Sequence, residues 1–244
     1  MEIKQVALIT GVGKDTGIGF EAARQLAQLG YRVVLTARKQ KTADQLSELL
    51  RQDGLDIVPL ALDVADESAV KAAAVTIDQR FGKLDVLINN ATTFPDKLET
   101  TTADLAQVRN AFDTNFIGAW STIKHFTPSL RKSDHGRIVN VSSGSGTYGG
   151  EPYSLINPWR DFISVYSLTK LALNGLTLKA AHDLAGDNIL VNAVTPGLTA
   201  TYDILAASGG RPVSEGAKSI VLAATLPKGG PTGQFFKDGA LAPW

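Results

Sequence analysis

The chain has no cysteine. Disulfides, thiolate nucleophiles and cysteine metal sites are thereby excluded, and nothing asks for an oxidising compartment. It has no surplus of either charge: 24 basic residues balance 24 acidic ones. No electrostatic footprint points to nucleic acid or an anionic membrane. No apolar run reaches the length of a membrane span. Met1-Glu2-Ile3-Lys4-Gln5 leads straight into a β-branched run, without the pattern of a signal peptide. The three histidines, His125, His135 and His182, are scattered without metal-ligand spacing. Charge blocks, low-complexity linkers and solenoid repeats are also missing. The expectation is a cytoplasmic protein with no nucleic-acid, membrane or metal partner.

What is there is 244 residues, 44% hydrophobic and 20% charged, enough for one large core. Residues 1–244 are expected to form a single domain. Short β-branched runs alternate with longer amphipathic stretches. The strand candidates are Val6–Ile9, Arg32–Thr36, Ile57–Leu62, Val86–Ile88, Ile138–Val141, Ile189–Val194 and Gln234–Phe236. Most are continuously apolar, as strands buried on both faces of a parallel sheet are. Phe20, Ala23, Leu26 and Ala27 share a helical stripe that Gly30 stops. Val70, Ala73, Ala74, Ile77 and Phe81 share another, with Asp66 as cap and Gly82 as stop. Trp120, deep in a helical stretch, reads as core. The repeated βα order predicts an α/β, doubly wound Rossmann fold, a parallel seven-stranded sheet with helices on both faces. Residues 144–164 fit neither period and read as an irregular excursion over the sheet edge.

Tyr166 and Lys170 stand four apart, which puts them on one face of a helix. An ammonium beside a phenol favours phenolate, so the tyrosine is expected to titrate below its usual value of about 10. Such a phenol can give a proton to a carbonyl oxygen or take one from an alcohol. The stretch from Thr10 to Phe20 follows the first strand and opens the first helix, with Gly11, Gly13, Gly17 and Gly19 in it. Glycines there permit a tight turn and close backbone approach to a pyrophosphate at the positive end of the helix. A site for NAD would carry a carboxylate at the end of the second strand. Leu35-Thr36-Ala37-Arg38-Lys39 has none and offers a guanidinium, whose planar fork suits a 2′-phosphate. NADP(H) is therefore the expected cofactor, with Lys14 able to assist. Lys39 and Lys41 read as solvated surface charges.

With these pieces in hand, the chain resembles the short-chain dehydrogenase/reductase family in its compact single-domain branch. Thr10-Gly11 followed by Gly17-Ile18-Gly19 is similar to the family's TGxxxGxG loop, lengthened here by two residues. Asp63-Val64 matches the acidic position that contacts adenine in relatives. Asn89-Asn90-Ala91 resembles the NNAG element, with Thr92 in place of glycine. Asn115 matches the family's helix asparagine. Ser143, second of the pair Ser142-Ser143, matches the catalytic serine, and Tyr166 and Lys170 match YxxxK. Pro196-Gly197 matches the turn that faces the nicotinamide, and Thr201 falls where a cofactor-contacting threonine often sits. Val34 to Arg38, Ser214 to Ala217 and the tail ending in Trp244 resemble the NADPH-dependent carbonyl reductases.

The resemblance implies hydride transfer between NADPH and a small-molecule carbonyl held by Ser143 and Tyr166. Tyr166 would supply the proton. Lys170 would stabilise phenolate and hold the nicotinamide ribose, and Asn115 would hold a water linking Lys170 to solvent. Ser143 and Tyr166 are 23 apart, where many relatives have about a dozen residues. An insertion at about residues 148–160 therefore sits beside the site. The aromatics Tyr148, Tyr153, Trp159 and Phe162, in or just after it, either cover the sheet edge or, with Phe94 and Leu198–Ala207, form a lid favouring bulky apolar or aromatic ketones. Two other readings stay open: an enoyl-thioester reductase, and an NADP-sensing protein without turnover. In the former branch tyrosine and lysine lie seven positions apart, and Ile163 holds that position here. Relatives commonly pair through the helices carrying Asn115 and Tyr166 into dimers or tetramers, while carbonyl reductases with a long insertion before the tyrosine are monomers. The insertion here is intermediate in length, and the expectation leans to a homodimer or homotetramer.

Overall fold

The computed structural model describes residues 4–94, 99–149, 151, 153–156 and 164–244. In chain order the elements are β1 (Val6–Ile9), α1 (Ile18–Gln28), β2 (Arg32–Ala37), α2 (Gln40–Gln52), β3 (Ile57–Ala61), α3 (Glu67–Phe81) and β4 (Val86–Asn89). Then come α4 (Leu105–Phe112), a π-helical turn (Asp113–Ile117), α5 (Gly118–Leu130), β5 (Arg137–Val141) and a 3-10 turn (Gly144–Gly146). The chain continues with α6 (Ser164–Asp183), β6 (Leu190–Thr195), α7 (Asp203–Ala207), α8 (Val213–Ala224), β7 (Phe235–Lys237) and β8 (Ala240–Ala242).

The strands form one sheet in the order β3-β2-β1-β4-β5-β6-β7-β8. The seven expected strands are all present and pair in parallel. An eighth, β8, adds antiparallel to β7 and corrects the seven-stranded expectation. It is only three residues long, too short for a periodic signal. Its turn was nonetheless written in the sequence. Asp238 and Gly239 both take positive φ, at 53° and 80°, as an Asp-Gly hairpin does.

The continuous apolar runs follow from burial on both faces. Ala7, Ile9, Val33, Leu35, Ile88 and Val139 join the core that includes residues of α1, α2 and α8. Leu8, Val34, Leu87, Ile138 and Val191 join the opposite core, with residues of α3, α5 and α6. Each fully buried Leu, Ile or Phe contributes roughly 1.5–3 kcal/mol. Asp66 caps α3 as expected, accepting from the Ser68 and Ala69 amides at 2.9 and 3.3 Å. Trp120 corrects another expectation. It is 50% exposed, on the outer face of α5. The Asp85 carboxylate is buried below the sheet, accepting from Val6 N at 2.8 Å and from Lys83 Nζ at 2.8 Å.

At the far edge, β3 has Pro59 at its centre, and Ala61 donates its N–H outward to Gln40 Oε1 at 2.9 Å. Among the described residues no helix is long and apolar enough to cross a membrane, and no cluster of three or more acidic or imidazole groups could hold a metal ion.

Candidate active site

A cavity of about 1240 Å³ opens beyond the carboxyl ends of β1, β4, β5 and β6. Strand order reverses between β1 and β4, and the divergence of the loops there leaves a crevice. Gly11, Lys14, Gly17, Ile18 and Gly19 line it from the first loop, and Arg38 from the end of β2. Asp63 and Val64 follow β3, and Asn90, Ala91 and Phe94 follow β4. Ser143 comes from the end of β5, Tyr166 and Lys170 from α6, and Pro196, Gly197, Leu198 and Thr201 from beyond β6. Tyr153 lines it from the segment before α6. Trp159 and Phe162 lie outside the described residues, and Tyr148 is exposed.

The first loop and the loop after β4 are locked together. Thr10 Oγ1 accepts from the amides of Asn90 and Ala91, each at 3.0 Å, and Asn90 Nδ2 donates to Thr10 O at 2.8 Å. A Cβ on Gly11 would lie 2.4 Å from Ala91 Cα, so only glycine lets the two backbones meet. Gly17 precedes α1 with no side chain to cap its first-turn N–H groups, which leaves them to an anion. Arg38 is exposed on the rim and makes no ion pair or hydrogen bond with a described residue. The donor set thus fits a phosphorylated dinucleotide: a bare helix N-terminus, a glycine turn and an uncommitted guanidinium. Lys14, from the same loop, reaches the residues beyond β6. Its ammonium donates to Thr201 O and lies 3.2 Å from the centroid of the Tyr202 ring. Partial desolvation lowers its pKa, against the pull of Asp203 and Asp15.

At the other end, the serine pair divides its duties. Ser142 is buried and bonded to Asn174 Oδ1 at 2.5 Å, while Asn174 holds Gly146 O at 3.0 Å. Ser143 instead shares a hydrogen bond with the Tyr166 hydroxyl. Its Oγ is steadied by Ser145, whose amide and hydroxyl donate at 3.2 and 3.0 Å. A carbonyl oxygen placed between Ser143 and Tyr166 would meet two hydroxyl donors at once. The Phe94 ring stacks on Tyr166 with centroids 4.2 Å apart and planes 20° apart.

The phenol does not titrate as the four-residue spacing suggested. Burial holds Tyr166 well above the ordinary tyrosine value, and the Ser143 hydrogen bond only partly opposes this. Burial also brings Lys170 down to about 7. The Lys170 ammonium donates to Val141 O at 2.8 Å and sits 5.4 Å from the Tyr166 ring centroid. Desolvation is the first cause of both shifts.

Asn115 is turned inward from the π-helical turn, a local irregularity frequent at functional sites. Its Oδ1 accepts from Thr93 N at 2.8 Å, and its Nδ2 donates to Thr93 O and Thr169 Oγ1, each at 3.0 Å. It clamps the residue before Phe94 and the residue before Lys170, and does not line the cavity. Tyr202 falls in the stretch 198–207 expected to close the pocket, whereas sequence reasoning singled out neither Glu151 nor Lys237. Glu151 is paired with Lys237 at 2.8 Å across 86 positions, a separation with no local signal.

Comparison with known proteins places the chain among relatives of one family. The family profile of short chain dehydrogenases matches residues 5–207. A short-chain dehydrogenase, anuI, of Penicillium roqueforti is 34% identical over 241 residues, covering 96% of this chain and 93% of that protein. A 3-oxoacyl-[acyl-carrier-protein] reductase, FabG, of Staphylococcus aureus is 35% identical over 198 residues, covering 81% of this chain and 75% of its own. Among solved structures, ElxO with NADP bound superposes with a TM-score of 0.81 at 30% identity, over 95% of this chain and 96% of ElxO.

Proposed function

We infer, because this chain belongs to the short chain dehydrogenase family, that it is an oxidoreductase using NADPH to reduce a ketone or aldehyde to an alcohol. The whole chain acts as one dinucleotide-binding and catalytic domain. The observation that carries the reading is the Ser143–Tyr166 hydroxyl pair on the cavity wall, with Lys170 buried beneath it and an uncommitted Arg38 at the far rim.

NADPH, when bound, supplies the hydride. The glycine loop and the α1 N-terminus hold its pyrophosphate, Arg38 its 2′-phosphate, and Asp63 and Val64 border its adenine. Ser143 and Tyr166 hold the substrate oxygen where negative charge develops, and Tyr166 delivers the proton. A phenol that burial keeps protonated is suited to giving a proton. Lys170, in its ammonium form and anchored on Val141 O, steadies the phenolate as it forms. Phe94 and Tyr153 flank the reacting oxygen with aromatic surface, which suits aryl or bulky apolar ketones. The test is NADPH consumption, with NADH in parallel, against aliphatic, aryl and β-keto ester carbonyls. Turnover with none of them, despite tight NADPH binding, overturns the reductase.

Arg38→Ala should raise KM for NADPH by roughly 10- to 100-fold, the worth of one or two charge-assisted bonds, and leave KM for NADH nearly unchanged. Equal shifts for both cofactors would remove the 2′-phosphate from Arg38. Ile117, Trp120, Leu168 and Leu178 are large apolar side chains left exposed on the π-helical turn, α5 and α6. We read them as the seat of a second copy of the chain. Trp120→Glu should shift the assembly to monomer in light scattering, and an unchanged mass would move the interface elsewhere.

A further inference from the structure

We propose that Glu151 and Lys237 are a positioning pair that fixes the ring of Tyr153 as a wall of the carbonyl pocket, so that a residue on β7 governs which ketones are accepted. The proposal rests on the reductase reading above.

The Glu151 side chain is only 7% exposed. Both its oxygens face Lys237 Nζ, at 2.8 and 2.9 Å. Tyr153 donates its phenol to the same carboxylate, and burial together with that acid pushes its pKa up to about 12. The group sits directly on the turn that follows Ser143. A Cβ on Gly144 would lie 2.5 Å from Glu151 Cγ and 3.0 Å from Tyr153 Cε2. Arg211 and Asp238 complete the surroundings of the phenol. They form an ion pair, and the Arg211 guanidinium also holds Pro196 O at 2.8 Å through Nε. The insertion, the turn after β6 and the β7–β8 hairpin therefore meet at one aromatic side chain.

The arrangement divides the chemistry of two neighbouring phenols. Tyr153 spends its O–H on Glu151, so it does not compete with Ser143 and Tyr166 for the substrate oxygen. It presents its ring to the cavity it lines. Glu151 in turn is held in its buried place by Lys237, which meets both of its oxygens. A buried carboxylate that loses its only ammonium partner is driven toward solvent. Its departure frees Tyr153, whose ring then no longer has a fixed place.

The experiment compares Lys237→Met, Glu151→Gln and Lys237→Arg with the wild-type protein. Lys237→Met and Glu151→Gln should raise KM for aryl ketones by about tenfold or more, with kcat within about threefold and KM for NADPH within about twofold. Lys237→Arg, which keeps the charge and can bridge both oxygens, should restore KM to within about threefold. Calorimetric titration of benzophenone into the NADP+-loaded proteins should weaken in the same order without any turnover. A wild-type protein that binds benzophenone but reduces no ketone would overturn the reductase and leave the pair judged by the binding order. No binding to the loaded wild-type protein, variants that bind like it, or a failure of arginine to restore would overturn the pair.

Discussion

Tyr166→Phe is expected to keep NADPH binding and to lower turnover by roughly 10²- to 10⁴-fold, the usual worth of a positioned general acid. The replacement removes one oxygen and little else. The ring keeps its stacking on Phe94 at 4.2 Å, and its place near the start of α6 is set by backbone packing against the 3-10 turn. That packing is tight, since a Cβ on Gly146 would lie 2.6 Å from the Lys170 carbonyl carbon. What goes is the proton donor and half of the hydroxyl pair, leaving Ser143 alone with the substrate oxygen. The measurement is single-turnover NADPH oxidation alongside fluorescence titration of NADPH. Near-full turnover in the phenylalanine variant would take the proton away from Tyr166, and lost NADPH binding would show a larger disturbance than one hydroxyl.

The second large effect joins activity to stability with opposite signs. Lys170→Met should abolish detectable turnover and raise the melting temperature at neutral pH. The ammonium is almost fully buried, has one carbonyl partner at 2.8 Å, and is brought by desolvation from 10.5 to about 7. The unfolded chain keeps this lysine charged up to its ordinary value. Between about pH 7 and 10.5 the unfolded state therefore binds more protons, and stability rises with pH across that window. Below about pH 7 the full cost of a buried charge is present. Methionine fills similar volume without it. Loss of the bond to Val141 O offsets part of the gain, at about 1–3 kcal/mol for a buried acceptor. Because burying a charge costs several kcal/mol, we expect a net gain of about 1 kcal/mol or more, a rise of at least roughly 2–4 °C. Calorimetric melts from about pH 6 to 10 should show the gap between variant and wild type narrowing as pH rises. A methionine variant that melts lower at every pH would mean that the Val141 bond outweighs desolvation.

Much of this fold was legible because parallel strands buried on both faces leave continuous apolar runs. Ala7 to Ile9 and Val33 to Leu35 alternate between two cores, so no residue in them is free to be polar. Trp120 was misread because a sequence does not say which apolar face of a helix has something to pack against. At the site, the glycine loop, Ser143, Tyr166 and Lys170 were legible because each motif is short and local. Their electrostatics were not. Spacing places an ammonium near a phenol, but only burial decides that desolvation governs both. Asn115 was found, yet its bonds to Thr93 and Thr169 show it spent on holding backbone and helix in place. Glu151 and Lys237 meet only once the sheet is assembled, and nothing in either neighbourhood announces the other.

The edge strand β3 has a consequence for how copies of this protein avoid clumping. In a parallel edge strand, alternate N–H groups face outward as a template for a visiting strand. Here those belong to residues 57, 59 and 61. Ile57 donates to Leu55 O at 3.1 Å, Pro59 has no N–H, and Ala61 donates to Gln40. The opposite border is β8, three residues long. Neither margin invites runaway strand-to-strand aggregation, and the apolar surface on α5 and α6 can be left open for self-recognition while the sheet itself stays closed to it.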